Sequence, residues 1–415
     1  DISAGYKIIL SMTKRITGID FARALAIIGM IIVNFKMVVG AEGGGWALEF
    51  AELFSGRAAA LFVVLAGVGI GLMTRKAYES GDPTLLSIAR GRLLKRAAFL
   101  FVVGLTYYWI WPADILHFYG IYMLVTLLVI RWKSQAVLRL AGALVLVFPL
   151  LLFVFNYETG WDLANLDYLD FWTAEGFLRN LFFNGFHPVF PWVAFMLLGL
   201  WFGRQDLQDD AFLRRAGLVA GGIFLGICFI SAGLQHLITP SAEYSPESIN
   251  AFFGLEPMPP LPLYMVNGGS CAILITVGCI LLARRWGESF VVRSMVDMGK
   301  LALTFYVAHV VIGMGLIEIF SGVSLGEATA AFSVVYALLF SFGCCLFAVV
   351  WRRYFRTGLL EWAMRSATES YILAPPQAQC RICSDNLYRP PSFACSPPVT
   401  SSSVSARNGR CVFYL

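Results

Sequence analysis

Cations are scarce in this chain, and nearly all of them sit at the ends of long apolar runs, on every second connection. The runs are Phe21–Gly40, Ala58–Thr74, Ala97–Trp111, Ile115–Ile130 and Ala136–Asn156, followed by Val189–Phe202, Gly217–Ile238, Met265–Ala283, Leu301–Phe320 and Ala330–Trp351. Lys14 and Arg15 precede the first run, and Arg75, Lys76, Arg90, Arg92, Lys95 and Arg96 fill the connection from the second to the third. Arg131, Lys133 and Arg139 follow the fourth, Arg204, Arg214 and Arg215 the sixth, Arg284, Arg285, Arg293 and Lys300 the eighth, and Arg352, Arg353 and Arg356 the tenth. The intervening connections hold only Arg57 and Arg179, beside acids such as Glu49, Glu52, Asp162, Asp167, Asp170, Glu243 and Glu247. Retained cations mark the cytoplasmic side of a membrane. The pattern therefore predicts an all-α, polytopic transmembrane helical bundle with about ten spans and both ends of the membrane domain cytoplasmic.

A backbone in hydrocarbon must pair its own amides, which leaves helices or a closed barrel. Barrel strands alternate apolar and polar residues, whereas Ala97–Leu105 and Ala143–Phe155 are apolar almost throughout, so helices are expected. Charged residues make up 14% of the chain, against about a quarter in soluble domains. The net charge of +5 is not gathered on one face or tail, so a nucleic-acid partner is not expected. The lipid bilayer is the expected partner. Cys228, Cys271, Cys279, Cys344 and Cys345 fall within the runs and read as small packing residues.

The two ends differ in character from the rest. Met12-Thr-Lys-Arg resembles a natural start, so residues 1–11 are expected to be a non-native leader before a single membrane domain over 12–366. Residues 367–415 are rich in Ser, Pro and Cys and are expected to be a disordered, non-native tail. Its Cys380, Cys383, Cys395 and Cys411 lack the second close pair of a zinc site, and no metal is expected.

Ionisable groups within spans are costly, so each is a functional candidate. Asp114 and His117 are three residues apart at the start of the fourth run, on one helical face. A carboxylate there can fix the imidazole tautomer and favour its protonated form, which suits a general base; the plain alternative is a helix cap and a packed histidine. His309 lies within the ninth run and needs a partner, His187 opens the sixth run among prolines, and His236 ends the seventh. Asp20 is three residues from Arg23, a spacing suited to pairing; Asn34 suits an interhelical bond, and Lys36 can extend outward. Arg57 stands at an otherwise acidic edge, suited to Glu49, Glu52 or an anionic substrate group. Arg90, Arg92 and Arg96 could hold the phosphates of a nucleotide-bearing donor, although topology alone accounts for them. The outer stretch Tyr157–Asp170 mixes aromatics and acids in a way that suits either a sugar or an interfacial belt.

Several motifs carry a family resemblance. Arg15-Ile-Thr-Gly-Ile-Asp20-Phe-Ala-Arg23, followed by Gly29-Met-Ile-Ile-Val-Asn34, resembles the opening helix of bacterial YeiB-like membrane proteins of unknown function. It is also similar to the catalytic domain of heparan-alpha-glucosaminide N-acetyltransferases, and more distantly to acyltransferase-3-like proteins. Leu61–Gly67, Asp114–Gly120, Leu197–Arg204, Gly299–Thr304 and Arg356–Trp362 match in order and spacing, covering Lys14 to Arg365. The resemblance implies a membrane acyltransferase in a bacterial plasma membrane, moving an acyl group from cytosolic acyl-CoA to an extracytoplasmic glycan or lipid acceptor. Many such O-acyltransferases carry a His eleven residues after the first-helix Arg, where this chain has Asn34. The heparan-type enzymes use a His in the outer loop after the first helix, and Lys36–Gly56 contains none. The base is then expected at His117, with Asp114 orienting it and His309 second; Arg57, His187 and Asn34 would bind substrate, and Arg90, Arg92 and Arg96 the donor. The alternative is a non-enzymatic transporter or flippase that uses the same buried groups as a proton relay. Oligomeric state is not legible.

Overall fold

A computed structural model describes residues 15–163, 165–238, 245–320 and 326–368. Residues 1–11, expected as a leader, and the expected tail with its four cysteines lie outside the described residues, apart from Ala367 and Thr368, which end the last helix.

The described chain is helical, with one two-stranded antiparallel ribbon. In order it runs α1 (Thr17–Val39), α2 (Trp46–Glu52), α3 (Arg57–Ser80), α4 (Pro83–Thr106), α5 (Leu116–Val129) and α6 (Ser134–Leu151). The ribbon β1 (Trp161–Asp162) and β2 (Asp167–Tyr168) leads to α7 (Ala174–Arg179) and a π-helical turn at Asn180–Asn184. Next come α8 (Val189–Gly203), α9 (Asp210–Leu237), α10 (Pro246–Phe253), α11 (Pro262–Trp286), α12 (Phe290–Gly299) and α13 (Ala302–Ala308). A second π-helical turn at His309–Met314, α14 (Gly315–Phe320), α15 (Ala330–Tyr354) and α16 (Leu359–Thr368) complete it.

A helix needs about twenty apolar residues to cross a bilayer. Six segments are long and apolar enough by themselves: α1, Trp46–Ser80, α6, α9, α11 and α15. The count becomes eight if two bent pairs are single spans, Ala174–Asn184 with α8 at 48° and α12 with Ala302–Ile317 at 72°. The third apolar run is the second half of α4, because the basic stretch before it is helical too, from Pro83 with Asp82 as its N-cap. The fourth is α5, which is short and apolar. The ninth does not run straight. It follows the bend after α12 and passes into a π-helical turn at His309.

Burial separates a central layer from a peripheral one. The apolar windows of α1 and α11 are 56% and 61% buried, whereas those of α6 and α9 are only 17% and 11% buried. Such apolar yet uncovered helices must face hydrocarbon, because water would not tolerate them. Within the central layer α3 and α8 cross at backbone contact. A Cβ added at Gly199 would sit 2.0 Å from the Val64 carbonyl oxygen, and one at Gly67 2.1 Å from that of Met196. Where lipid removes the hydrophobic drive between helices, close approach through small residues supplies association by dispersion.

Polar ties fix the helix ends on the basic face. Arg204 donates to the carbonyls of Ile130 (2.6 Å) and Trp132 (2.9 Å), taking up acceptors at the end of α5. The Glu361 carboxylate accepts from the Leu303 amide at 2.7 Å, the Thr304 amide at 3.2 Å and the Thr304 hydroxyl at 2.6 Å, capping α13 from α16. Asp20, buried at 1% exposure, is held by Arg15 at 2.7 Å and Arg23 at 2.8 Å, an arrangement that compensates its lost hydration.

Candidate active site

A cavity of about 430 Å³ opens among α1, α3, the turn before α5, the bend between the π-helical turn and α8, and the stretch before α11. It lies at the ends of the helices opposite the basic connections. Its polar wall includes Asn34, Lys36, Ser55, His187 and Tyr306, and Ala113 and Ile115 line it on either side of Asp114.

Asp114 sits just behind that wall, fully buried, and four groups converge on it. The Nδ1 atom of His117 is 3.0 Å from its Oδ2, and the His117 amide donates to the same oxygen at 3.1 Å. Tyr306 donates from its hydroxyl to Oδ1 at 3.1 Å, and Tyr107 donates to Oδ1 as well. Tyr306 also accepts from the Ile115 amide at 3.0 Å, which ties α13 to the start of α5. This proximity depends on Gly104, where a Cβ would lie 2.4 Å from Asp114 Oδ2 and from the His117 amide nitrogen. A carboxylate at Nδ1 places the ring proton there and leaves Nε2 as the basic nitrogen. His117 Nε2 is buried and has no hydrogen-bond partner among the described residues. Around the ring lie Phe118, Tyr108 and Phe171, at 4.0, 6.0 and 6.2 Å between centroids.

The other histidines fall differently. His187 lines the cavity directly, its Nδ1 buried and without a partner among the described residues. Its ring packs edge-on against Trp192 at 4.7 Å and Phe118 at 6.1 Å, which puts it on the Asp114–His117 side. His309 is reached through Asn34, whose Nδ2 is 2.9 Å from His309 Nε2, while Nδ1 lies 3.3 Å from the Phe305 carbonyl oxygen. His309 opens one π-helical turn and His187 follows the other by three residues; such turns recur where a side chain is re-aimed at a functional site. His236 is exposed near the end of α9, away from this cluster.

Of the cations, Lys36 meets Glu52. Arg57 does not pair with the side chain of Glu49 or Glu52. It donates to Asn267 Oδ1 at 2.9 Å and to the backbone carbonyls of Glu52 (3.3 Å) and Leu53 (3.2 Å), because it starts α3 directly after the tight turn that ends α2. Arg90 and Arg92 are exposed on α4, with half-buried Arg96 one turn on and 3.6 Å from Met73 Sδ. These three lie at the opposite ends of the helices from the cavity. Among the described residues no three His, Cys, Asp or Glu side chains are grouped to hold a metal ion.

The stretch after α6 forms a cap over this region. Trp161 and Tyr168 are each 8% exposed, in a cluster with Tyr108 and Phe171, so these rings pack inward. Asn184 organises them: its Oδ1 accepts from the Tyr168 hydroxyl at 2.7 Å, and its Nδ2 donates to the carbonyls of Tyr157 (2.7 Å) and Thr159 (2.8 Å). Burial pushes the Tyr168 phenol above its ordinary value, so it remains the donor despite the Arg179 guanidinium beside it. Asn184→Ala leaves these groups unpaired and is expected to cost about 1–3 kcal/mol. A lower midpoint of thermal unfolding in detergent, with faster proteolysis after Arg179, checks this; an unchanged midpoint contradicts it.

Tyr107, Tyr306 and Gly104 belong to this constellation and were not among the residues that sequence reasoning singled out. Tyrosines and glycines are common within spans, and only the distant pairing of α13 with the start of α5 gives these their meaning. Residues 15–232 match the family model described as heparan-alpha-glucosaminide N-acetyltransferase, catalytic. Residues 201–370 match one described as a protein of unknown function (DUF418), the YeiB-like family. A search of curated proteins finds no match.

Proposed function

Because the chain belongs to the heparan-alpha-glucosaminide N-acetyltransferase catalytic family over more than half its length, we propose that it is an integral membrane acyltransferase using acyl-CoA. In this reading the basic face is cytoplasmic, the protein sits in a bacterial plasma membrane, and the acceptor is an extracytoplasmic glycan or lipid. The six long helices, the two bent pairs, α4 and α5 make ten spans, with both ends of the membrane domain inside. That count is supported by the alternation of basic and acidic connections along the chain.

The observation that carries the reading is the Asp114–His117 pair, with its basic nitrogen uncommitted, immediately behind the wall of the cavity. The acceptor's hydroxyl or amine attacks the thioester carbonyl, and its proton passes to His117 Nε2. The tetrahedral intermediate collapses, the carbon–sulfur bond breaks, and the imidazolium returns the proton to the departing thiolate as free CoA–SH. Asp114 stabilises the imidazolium that forms between these steps, as a carboxylate does in a catalytic triad. Asn34 and His187 hold the acceptor within the cavity, and Arg57 adds positive charge at the rim. His309 fixes Asn34 and is the second-ranked base, since its Nε2 faces the Asn34 amide in the resting arrangement. Arg90, Arg92 and Arg96 attract the donor phosphates on the other face.

Labelled acetyl-CoA supplied to the basic face of sealed vesicles tests this. Wild-type protein transfers label to a glycan or lipid acceptor on the far side, and Asp114→Asn lowers the rate about 10²-fold or more, because the imidazolium loses its counter-charge. Movement of a solute or lipid across the bilayer without acyl-CoA, and no label transfer, would replace this reading with that of a transporter or flippase.

A further inference from the structure

The cavity has a lateral neighbour. Pro257 and Met258 line the cavity, and the next residue, Pro259, lines a separate groove of about 570 Å³ between the end of α6 and α10. Residues 257–259 are therefore a thin partition with one hollow on each side. The groove's walls are Leu152–Glu158 on one side and Ser248, Ala251 and Phe252 on the other. Beneath it Phe148, Phe183 and Leu261 form a small buried cluster. Phe183 stands 5.6 Å from Phe155 and 5.8 Å from Tyr157 between ring centroids, and belongs to the π-helical turn that leads to His187. The groove and the cavity thus share both a partition and a supporting turn.

Its surroundings indicate what fills it. Phe153 and Val154 are 85% and 72% exposed, at the end of a helix that is mostly uncovered along its length, so the groove opens toward hydrocarbon. Asn156, Glu158 and Ser248 give it a polar edge. The Tyr157 hydroxyl is buried and has no hydrogen-bond partner among the described residues, although its ring lines the groove. An apolar trough with one polar edge and an unused donor matches a lipid at the level where its chains meet its headgroup. The Glu158 carboxylate disfavours an anionic headgroup there and favours one that carries an amine.

We propose that this groove seats the chains of a membrane lipid with an amine-bearing headgroup, which reaches over the Pro257–Pro259 partition into the His187 cavity as the acyl acceptor. The proposal rests on the acyltransferase reading for its chemistry and on the groove alone for its binding. In the step itself the acyl carbon–sulfur bond breaks, an acyl–nitrogen bond forms at the headgroup, and the amine proton leaves with CoA–SH by way of His117.

The test uses the full chain in nanodiscs containing phosphatidylethanolamine with a photoactivatable diazirine in one acyl chain. Irradiation is expected to label peptides covering 152–158 and 248–252 more strongly than the exposed face of α9. Ala251→Trp fills the groove and should reduce that labelling about tenfold, equivalent to about 1.4 kcal/mol of binding. Ser248→Phe, at an exposed position on the same wall, should act in the same direction if the first variant folds poorly. Leu225→Trp, on the uncovered side of α9, should leave labelling unchanged. Labelling of α9 as strong as that of the groove, or unaltered groove labelling in both filled variants, would overturn the proposal. With acetyl-CoA present, Ala251→Trp should lower transfer to the lipid while sparing transfer to added glucosamine. Persistent groove labelling with no transfer to either acceptor would sink the acyltransferase reading and leave the lipid site standing. Transfer to glucosamine without groove labelling would do the reverse.

Discussion

His117→Ala is expected to lower acyl transfer by about 10²–10⁴-fold, the usual contribution of a positioned general base. The argument comes from the proton's position. With Asp114 on Nδ1, the lone pair belongs to Nε2, and that nitrogen has no hydrogen-bond partner among the described residues. His309 differs, because its Nε2 faces the Asn34 amide. The loss should fall on turnover and not on the apparent affinity for acyl-CoA, since the proposed donor contacts, Arg90, Arg92 and Arg96, lie at the other ends of the helices. Single-turnover transfer in vesicles separates these. Full turnover in the alanine variant would remove His117 from the mechanism and move the base to His309, whose Nε2 reaches the cavity side through Asn34.

Gly199→Ile is expected to abolish recovery of folded protein. Even one added carbon would stand 2.0 Å from the Val64 carbonyl oxygen and 3.0 Å from the Gly67 Cα, so α3 and α8 must separate along their contact. Overpacking a core typically costs about 1–3 kcal/mol, and a backbone contact offers no side-chain end to move aside, so the effect should exceed that range. Detergent-solubilised variant should elute as aggregate in size-exclusion chromatography, with Gly222→Ile, where a side chain meets open space, eluting as wild type. A monodisperse Gly199→Ile protein would show that the crossing can open without loss of the fold.

The helical character was legible because period and charge report on solvent, and lipid leaves few solutions. Each apolar run contains a helix, and the prolines beside His187 suit the 48° bend that enters α8, yet the sharper bend after α12 was not legible. Nothing local in Gly299–Ala302 announces a 72° turn, and the group that caps the new helix, Glu361, comes from a segment nearly sixty residues later. Asp114 and His117 were readable as neighbours because helical spacing is a local rule. Asn34 and His309 were each readable as polar groups in need of partners, but not as each other's partner, since 275 residues separate them. The aromatic stretch after α6 was legible only as a composition that suits a sugar or an interfacial belt; the burial of Trp161 and Tyr168 goes with Asn184, which composition does not single out.

The hydrogen bonds around the cavity bear on how the chain is divided. The two family matches meet near residues 201–232, and a reader might cut the protein there into modules. Asp114 and Asn34 lie before that seam; the tyrosine and the histidine that bond them, at 306 and 309, lie after it. Neither fragment expressed alone would own the constellation. Inheritance, loss or engineered exchange must therefore act on both portions together, as on the two jaws of one clamp.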